Sequence, residues 1–275
     1  HAGALGEWQL AYDILNEERG GEGKNKSVDE FLDLQGFYRQ RAHLYEQEIA
    51  GTQREQDCQR KSLNRLGNCY KDLGQYEKAI AYHQQHHDIS EEIGDRKGVT
   101  NSLGNLGNCY YFLGQYEKAI AYYNQSLEIS EKIGDRKGVA VSLRNFGNCY
   151  LYFGQYEKAI AYHQQSLEIQ EEIGYRQGVA ISLHNIGGIF FKLENYSEAE
   201  TKVQESLVIS QEINFKSSIA HNFQALAAIA HQTNQPQLAL SHCQTALTLS
   251  QELGIPLVKD CEELLAKIQD DLEAV

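Results

Sequence analysis

Long apolar runs are missing from this sequence. A helix that spans a bilayer needs ~18 or more consecutive apolar residues, and no such run occurs in the 275 residues. No charged segment followed by a short apolar stretch opens the chain, so a secretory signal is not visible. Positive charge is also scarce: the net charge is −13, which argues against general nucleic-acid binding, because phosphates demand a cationic face. A polybasic lipid-binding helix is equally lacking. There is no Gly-x-x-x-x-Gly-Lys-Ser/Thr loop for nucleotide phosphates. Methionine is absent and proline occurs twice. The chain starts at His1 rather than Met, which leads to the expectation of a processed or excised piece. Together these absences suggest a soluble, acidic protein without naming a function.

The acidity is uneven. Residues 1–60 hold 12 acids and 7 bases, residues 61–180 hold 14 and 13, and residues 181–275 hold 12 and 5. The middle is nearly neutral and leaves room for an anionic or a neutral partner there, although acids that merely solvate outer helix faces explain the same numbers.

Length alone suggests about two domains. An internal repeat overrides that estimate. Gly74-Gln75-Tyr76-Glu77-Lys78-Ala79-Ile80-Ala81-Tyr82 recurs unchanged at 114–122 and 154–162, a period of 40 residues. Ile93-Gly94-Asp95-Arg96-Lys97-Gly98-Val99 recurs at 133–139, and in altered form at 173–179. A fourth unit keeps Tyr196 and Ala199, and a fifth keeps Ala239. Within a unit, Val99, Leu103, Leu106, Tyr110 and Leu113 fall on one face of a helix, and Tyr116, Ala119, Ile120, Tyr123 and Leu127 mark a second. Gly114 and Gly134 suit left-handed helix ends, with Asn214 as the substitute in the fourth unit. Gly107 inside the first helix predicts close approach of its paired helix, with Gly67, Gly147 and Gly187 at the same place and Ala227 in the fifth unit. A single pair cannot bury its apolar face, but stacked pairs can. The predicted fold is therefore all-α, a right-handed superhelical solenoid of antiparallel helix pairs with a concave and a convex side.

The register resembles the tetratricopeptide repeat in a long, 40-residue form. Leu66-Gly67-Asn68 and Leu106-Gly107-Asn108 are similar to the Leu-Gly-Asn signature of LGN/Pins-type repeats, and Phe146-Gly147-Asn148 is a close variant. Ile186-Gly187-Gly188 and Leu226-Ala227-Ala228 depart from it. Three regions are expected: degenerate helical repeats at 1–58, five full repeats at 59–255 and a capping helix at 256–275. Leu5 to Tyr12 reads as the second helix of a truncated unit, Gly20 to Lys26 as a link, and 27–57 as a degenerate pair around Gly36-Phe37-Tyr38. The resemblance also implies a context, since similar bacterial arrays often form the sensor part of large signalling NTPases.

In such arrays the first helix of each pair lines the groove. The resemblance then places Asn64, Arg65, Asn68, Asn101, Asn105, Asn108, Tyr111, Arg144, Asn145, Asn148, Tyr152, His184 and Asn185 on the concave wall. Lys71 belongs to the same set. Helical spacing groups Asn64 with Asn68, Asn105 with Asn108 and Arg144 with Asn148. An amide both donates and accepts, so a ladder of amides could hold the backbone of an extended peptide. Arg65 and Arg144 would select a carboxylate, and Tyr111 and Tyr152 would pack on apolar side chains. Asn is a poor mid-helix residue, so its recurrence invites a reason. Three remain open: groove binding, hydrogen bonding between adjacent repeats, and copying by duplication.

Cys69, Cys109 and Cys149 recur once per unit and read as buried core thiols. Neither a compact zinc set nor a disulfide framework is present, which suggests a reducing cytoplasm. His83 and His87 are i,i+4 with His86 between them. They lack an obvious third ligand and read as a packing or solvated face, so neither metal nor cofactor is expected. No nucleophile–base arrangement emerges. The expected function is a non-catalytic module that binds a protein or peptide in its groove, without nucleic acid or membrane. The alternative is an intramolecular sensor that docks other domains of a longer signalling ATPase.

Overall fold

The computed structural model describes residues 39–46 and 56–273. The truncated unit at Leu5 to Tyr12, the Gly20–Lys26 link and the centre of the degenerate pair, Gly36-Phe37-Tyr38, lie outside the described residues. A helical segment at 39–46 precedes eleven longer helices. These are α1 (Gln56–Asp72), α2 (Tyr76–Glu92), α3 (Arg96–Phe112), α4 (Tyr116–Lys132), α5 (Arg136–Tyr152) and α6 (Tyr156–Glu172). They continue as α7 (Arg176–Lys192), α8 (Tyr196–Glu212), α9 (Lys216–Gln232), α10 (Pro236–Leu253) and α11 (Leu257–Glu273). Among the described residues all regular structure is helical.

The turn chemistry follows the sequence. First helices end at Gly74, Gly114 and Gly154, at φ +71, +72 and +69°, and second helices at Gly94, Gly134 and Gly174, at +72, +70 and +68°. L-residues resist this region, yet Glu194 (φ 59°), Asn214 (52°) and Asn234 (57°) adopt it. Asn214 is the substitute that the sequence suggests; Glu194 stands where the first three units have Gly74, Gly114 and Gly154 and the fifth has Asn234. Asp95 and Asp135 cap α3 and α5 by accepting from the N–H of Gly98 at 3.0 Å and of Gly138 at 3.1 Å. Such a cap contributes ~1 kcal/mol. Tyr175 stands at the matching position of α7, where no side-chain cap bond forms.

Each helix packs on its neighbours in sequence, so the array is a solenoid of antiparallel pairs. Each first helix also touches the first helix of the next pair, whereas the second helices do not touch one another. The stack therefore curves with first helices α1, α3, α5, α7 and α9 on the inside. The apolar filling is repetitive: Leu63, Leu66, Val99, Leu106, Ala140, Val179 and Ile186 are all buried. Fully burying one such Leu, Val or Ile side chain is worth ~1.5–3 kcal/mol.

The repeating mid-helix glycines have a more specific cause than the expected approach of two helices. It is chiefly one side chain from the second helix of the pair that needs the room. A Cβ on Gly67 would lie 2.6 Å from the His83 ring, on Gly107 2.4 Å from Tyr123, and on Gly147 2.6 Å from His163. In the fourth unit the neighbours are Val203 at 2.7 Å and the Ala199 carbonyl at 3.1 Å. In the fifth, Ala227 shares its cluster with Cys243. Large second-helix partners accompany glycine, and the small thiol accompanies alanine, so the two positions fill one fixed volume.

Candidate functional site

The solvent face of each first helix can be read from its register. In α5 the stripe is Lys137, Val141, Arg144, Asn148 and Tyr152, at steps of four, three, four and four residues. In α3 it is Lys97, Asn101, Gly104, Asn108 and Phe112. In α7 it is Gln177, Ile181, His184, Gly188 and Lys192. These residues are exposed or half-buried, while the opposite faces fill the core.

The expected amides divide between wall and opening. Asn105 donates to Asn64 at 2.9 Å, Asn145 to Asn108 at 3.5 Å, and Asn185 to Asn148 at 3.3 Å. All three bonds join first helices of neighbouring pairs, which is the inter-repeat alternative. Asn145 is buried and belongs to the wall itself. Asn108 has a further task, accepting a 2.8 Å bond from the hydroxyl of buried Tyr123. Asn64, Asn68, Asn105, Asn148 and Asn185 are half-buried, and Asn101 is exposed. His184 is bonded through Nδ1 to Asn222 at 2.7 Å, and burial lowers its pKa from the usual imidazole value.

Two cationic positions differ in setting. Arg65 is exposed, with its guanidinium 5.9 Å from the Tyr45 ring centroid. Arg144 is half-buried and forms no ion pair with a carboxylate among the described residues. Burial pushes its guanidinium below the ordinary arginine value, against the opposing pull of Tyr175 and Tyr123. Lys71 is paired with neighbouring Asp72 at 3.4 Å.

Tyr111 and Tyr152 part company. Tyr111 packs edge-on to Tyr116 and Phe112 and joins the core cluster around Tyr123. Tyr152 is 63% exposed and stacks on Tyr116 with ring centroids 3.7 Å apart. Phe112, 56% exposed, stacks on Tyr76 at 5.5 Å in the same manner one unit earlier. This row of exposed aromatics at the ends of first helices also includes a residue that the sequence reading missed, Phe112. So were Lys97 and Lys137, although their place four residues before Asn101 and Val141 put them on the same stripe. Lys137 lies 4.2 Å from the Tyr175 ring centroid.

The remaining polar residues serve the core. Cys109 and Cys149 are fully buried, and burial pushes their thiols up to about 11 and about 12. His83, His86 and His163 are buried too. Both ring nitrogens of His83 and His163 lack a hydrogen-bond partner, and desolvation lowers both to about 3. His86 contacts Arg60 at 3.4 Å and falls to about 4, mainly by desolvation. No helix among the described residues is long and apolar enough to cross a membrane.

Against known proteins, the sequence matches the tetratricopeptide repeat over residues 59–132, 99–172, 138–212 and 178–252. No curated protein matches it at a significant level. Among solved structures, NprR in complex with its cognate peptide NprX is similar, with a TM-score of 0.66 at 16% identity over 99% of this chain and 85% of that one. A Rap protein complexed with competence and sporulation factor gives 0.64 at 15% identity, over 96% of this chain and 81% of that one. A signal transduction ATPase with numerous domains from Pyrococcus horikoshii, which carries a tetratricopeptide repeat sensor, gives 0.59 at 22% identity. That match covers 90% of this chain but 38% of the ATPase. At these identities the likeness is one of fold. The family matches overlap into one stretch from 59 to 252 that follows the helix pairs, so the chain belongs to the tetratricopeptide repeat family.

Proposed function

We propose that this chain is a non-catalytic recognition module whose concave surface holds an extended segment of a protein partner. One observation carries the reading: the solvent stripe of α3 contains a glycine that no packing requires. A Cβ on Gly104 would meet no atom within 4 Å, whereas Gly107 three residues away is sterically required. Glycine in a helix interior is ~1 kcal/mol less favourable than alanine, and at position 104 no contact in the fold offsets that. It keeps the inner wall open beside Asn101, whose amide offers a donor and an acceptor to a peptide backbone, and Asn108, whose oxygen is taken by Tyr123 and Asn145 and whose NH2 group is left to donate. Repeats of this family are interaction scaffolds, and NprR, which holds its peptide NprX, has a similar fold.

The test is selection from a random decapeptide display library on the immobilised chain, repeated with a Gly104→Phe variant that fills the opening. Retention by the wild type and its loss in a variant with unchanged circular dichroism is the expected result. No retention by the wild type, or equal retention by both, overturns the proposal. A second reading, that the groove docks another domain of a longer signalling ATPase, draws on the similarity to the sensor of the Pyrococcus horikoshii protein. The full reading frame of the gene decides it.

A further inference from the structure

The distribution of charge between the two layers of the solenoid is lopsided. Helices α3, α5, α7 and α9 contain no aspartate or glutamate at all. With α1 included, the first helices carry 12 bases and 2 acids. The second helices α2, α4, α6, α8 and α10 carry 5 bases and 16 acids. A chain of net charge −13 therefore has a cationic inner layer wrapped by an anionic outer one.

Part of the inner charge is neutralised at the edge. Arg136 pairs with Glu172 and Arg176 with Glu212, each at the far end of a second helix, Arg96 pairs with Glu91 at 3.3 Å, and on α1 Arg60 pairs with Asp95 at 3.2 Å and Lys71 with Asp72 at 3.4 Å. What remains on the solvent stripe is Lys97 on α3, Lys137 and Arg144 on α5, and Lys192 on α7. None of these four forms an ion pair with a carboxylate among the described residues. Beyond α7 the inner wall is nearly neutral, because α9 carries only Lys216 besides histidine. The unpaired positive charge on the stripe is thus concentrated on α3 and α5, next to the open wall at Gly104. A cleft lined by one sign of charge concentrates ligands of the other sign.

We infer that the occupant of the groove is an acidic extended peptide, its carboxylates against Lys97, Lys137 and Arg144. This inference rests on the groove reading proposed above and adds the chemistry of the ligand. Arg144 presents a planar fork that matches a carboxylate, in a position where partial burial strengthens the attraction relative to open water. Exposed Phe112 and Tyr152, each stacked on a tyrosine of the preceding second helix, accept apolar side chains between the acids. A peptide is favoured over nucleic acid because the stripe alternates its few cations with amides and aliphatic residues (Asn101, Val141, Ile181), which suit mixed side chains rather than the unbroken row of phosphates of a polynucleotide.

The experiment is the same decapeptide selection, read by the composition of the retained peptides. The expected result is at least threefold enrichment of Asp plus Glu over the input library. That enrichment should vanish in a Lys97→Gln/Lys137→Gln/Arg144→Gln variant and persist in Lys118→Gln/Lys158→Gln, whose changes lie on second helices. A fluorescent acidic decapeptide from the selection should lose at least tenfold in affinity in the triple variant and weaken as salt shortens the Debye length. Circular dichroism and urea unfolding of each variant establish that it folds. Retained peptides without acidic enrichment, but still lost on Gly104→Phe, overturn this inference and leave the groove reading standing. No retention, or retention indifferent to Gly104→Phe, overturns the groove reading itself. Single-stranded oligothymidine that binds as tightly as the acidic peptide and competes with it also overturns the inference.

Discussion

Gly104 and Gly107 lie on the same helix three residues apart, and replacing each by alanine should act in opposite directions. In Gly104→Ala the new methyl enters open space, so the variant gains the helix propensity of alanine, about 1 kcal/mol. In Gly107→Ala the methyl would stand 2.4 Å from Tyr123 Cε1 and 2.7 Å from Cδ1. Tyr123 is 2% exposed, and its hydroxyl is held by Asn108 at 2.8 Å. The ring cannot swing aside without breaking that bond. Overpacking costs roughly 1–3 kcal/mol, and losing the bond costs roughly another 1 kcal/mol. After the propensity gain the net loss is about 1–3 kcal/mol, so the two variants should differ by roughly 2–4 kcal/mol. Urea unfolding followed by circular dichroism measures both through the midpoint at constant m-value. The fifth unit suggests the rescue, since Ala227 there accompanies Cys243. Gly107→Ala combined with Tyr123→Cys should be less damaging than the sum of the single changes, a coupling that a double-mutant cycle reads directly. A Gly107→Ala variant as stable as Gly104→Ala would refute the reasoning, and so would strict additivity of the pair.

Acid should unfold the array through its buried histidines. His163 stays neutral in the folded state down to about 3, whereas the unfolded chain takes up the proton near 6.5. The unfolded state therefore binds more protons between these values, and stability is retained above pH 6.5 and lost as pH falls toward 3. His163→Val, which copies the residue of the fourth unit, should reduce the slope of unfolding free energy against pH in this window by up to about 1.4 kcal/mol per unit; an unchanged slope in urea titrations argues against it. Glu194→Gly should raise stability by about 0.5–1 kcal/mol, because it relieves an L-residue at φ 59° where the first three units hold glycine. Its check is the midpoint shift, and a decrease counts against the argument. Cys109 and Cys149, with thiols pushed up to about 11 and about 12 in full burial, should react with a chromogenic disulfide reagent at pH 8 only as fast as the array unfolds. Reaction in the native state at the rate of a free thiol would contradict their placement.

The fold was legible because its rules are local and repeated. Apolar spacing, a glycine at most turns and a period of 40 residues specify helix pairs without any knowledge of distant contacts. Asn214 could even be placed at positive φ from its position alone. Glu194 could not, since nothing local favours glutamate there; the surrounding pairs impose that conformation. The histidines show the same boundary. His83 and His163 share a position with Tyr123 and Val203, and a residue that varies from polar to aliphatic at a fixed register looks like surface in one sequence. Burial there is decided by the paired glycine, which is visible only when the two helices are set side by side. Charge segregation was present in the sequence all along, but it was hidden by counting along the chain. Residues 61–180 are near neutral because cationic first helices alternate with anionic second helices at half the repeat length, and only the fold separates the two layers in space.

The amides make the same point in a form that can be measured. Asn68, Asn108 and Asn148 occupy equivalent positions, so a sequence argument assigns them one role. Their second-helix partners are not equivalent: His83 and His163 flank the outer two, whereas Tyr123 flanks Asn108 and bonds to it. Replacing Asn108 by alanine leaves a buried hydroxyl without its acceptor, which costs roughly 1–3 kcal/mol. Asn68 receives no bond from His83, both of whose ring nitrogens are unpartnered. Asn68→Ala should therefore be milder by about 1–2 kcal/mol, and should report on ligand binding with little contribution from unfolding. Adding Tyr123→Phe to Asn108→Ala removes the orphaned hydroxyl and should recover most of the loss. Urea midpoints of the three variants against the wild type measure these differences. Equal destabilisation by Asn68→Ala and Asn108→Ala, or no recovery in the double variant, would show that the tyrosine bond contributes nothing and that the three amides are equivalent after all.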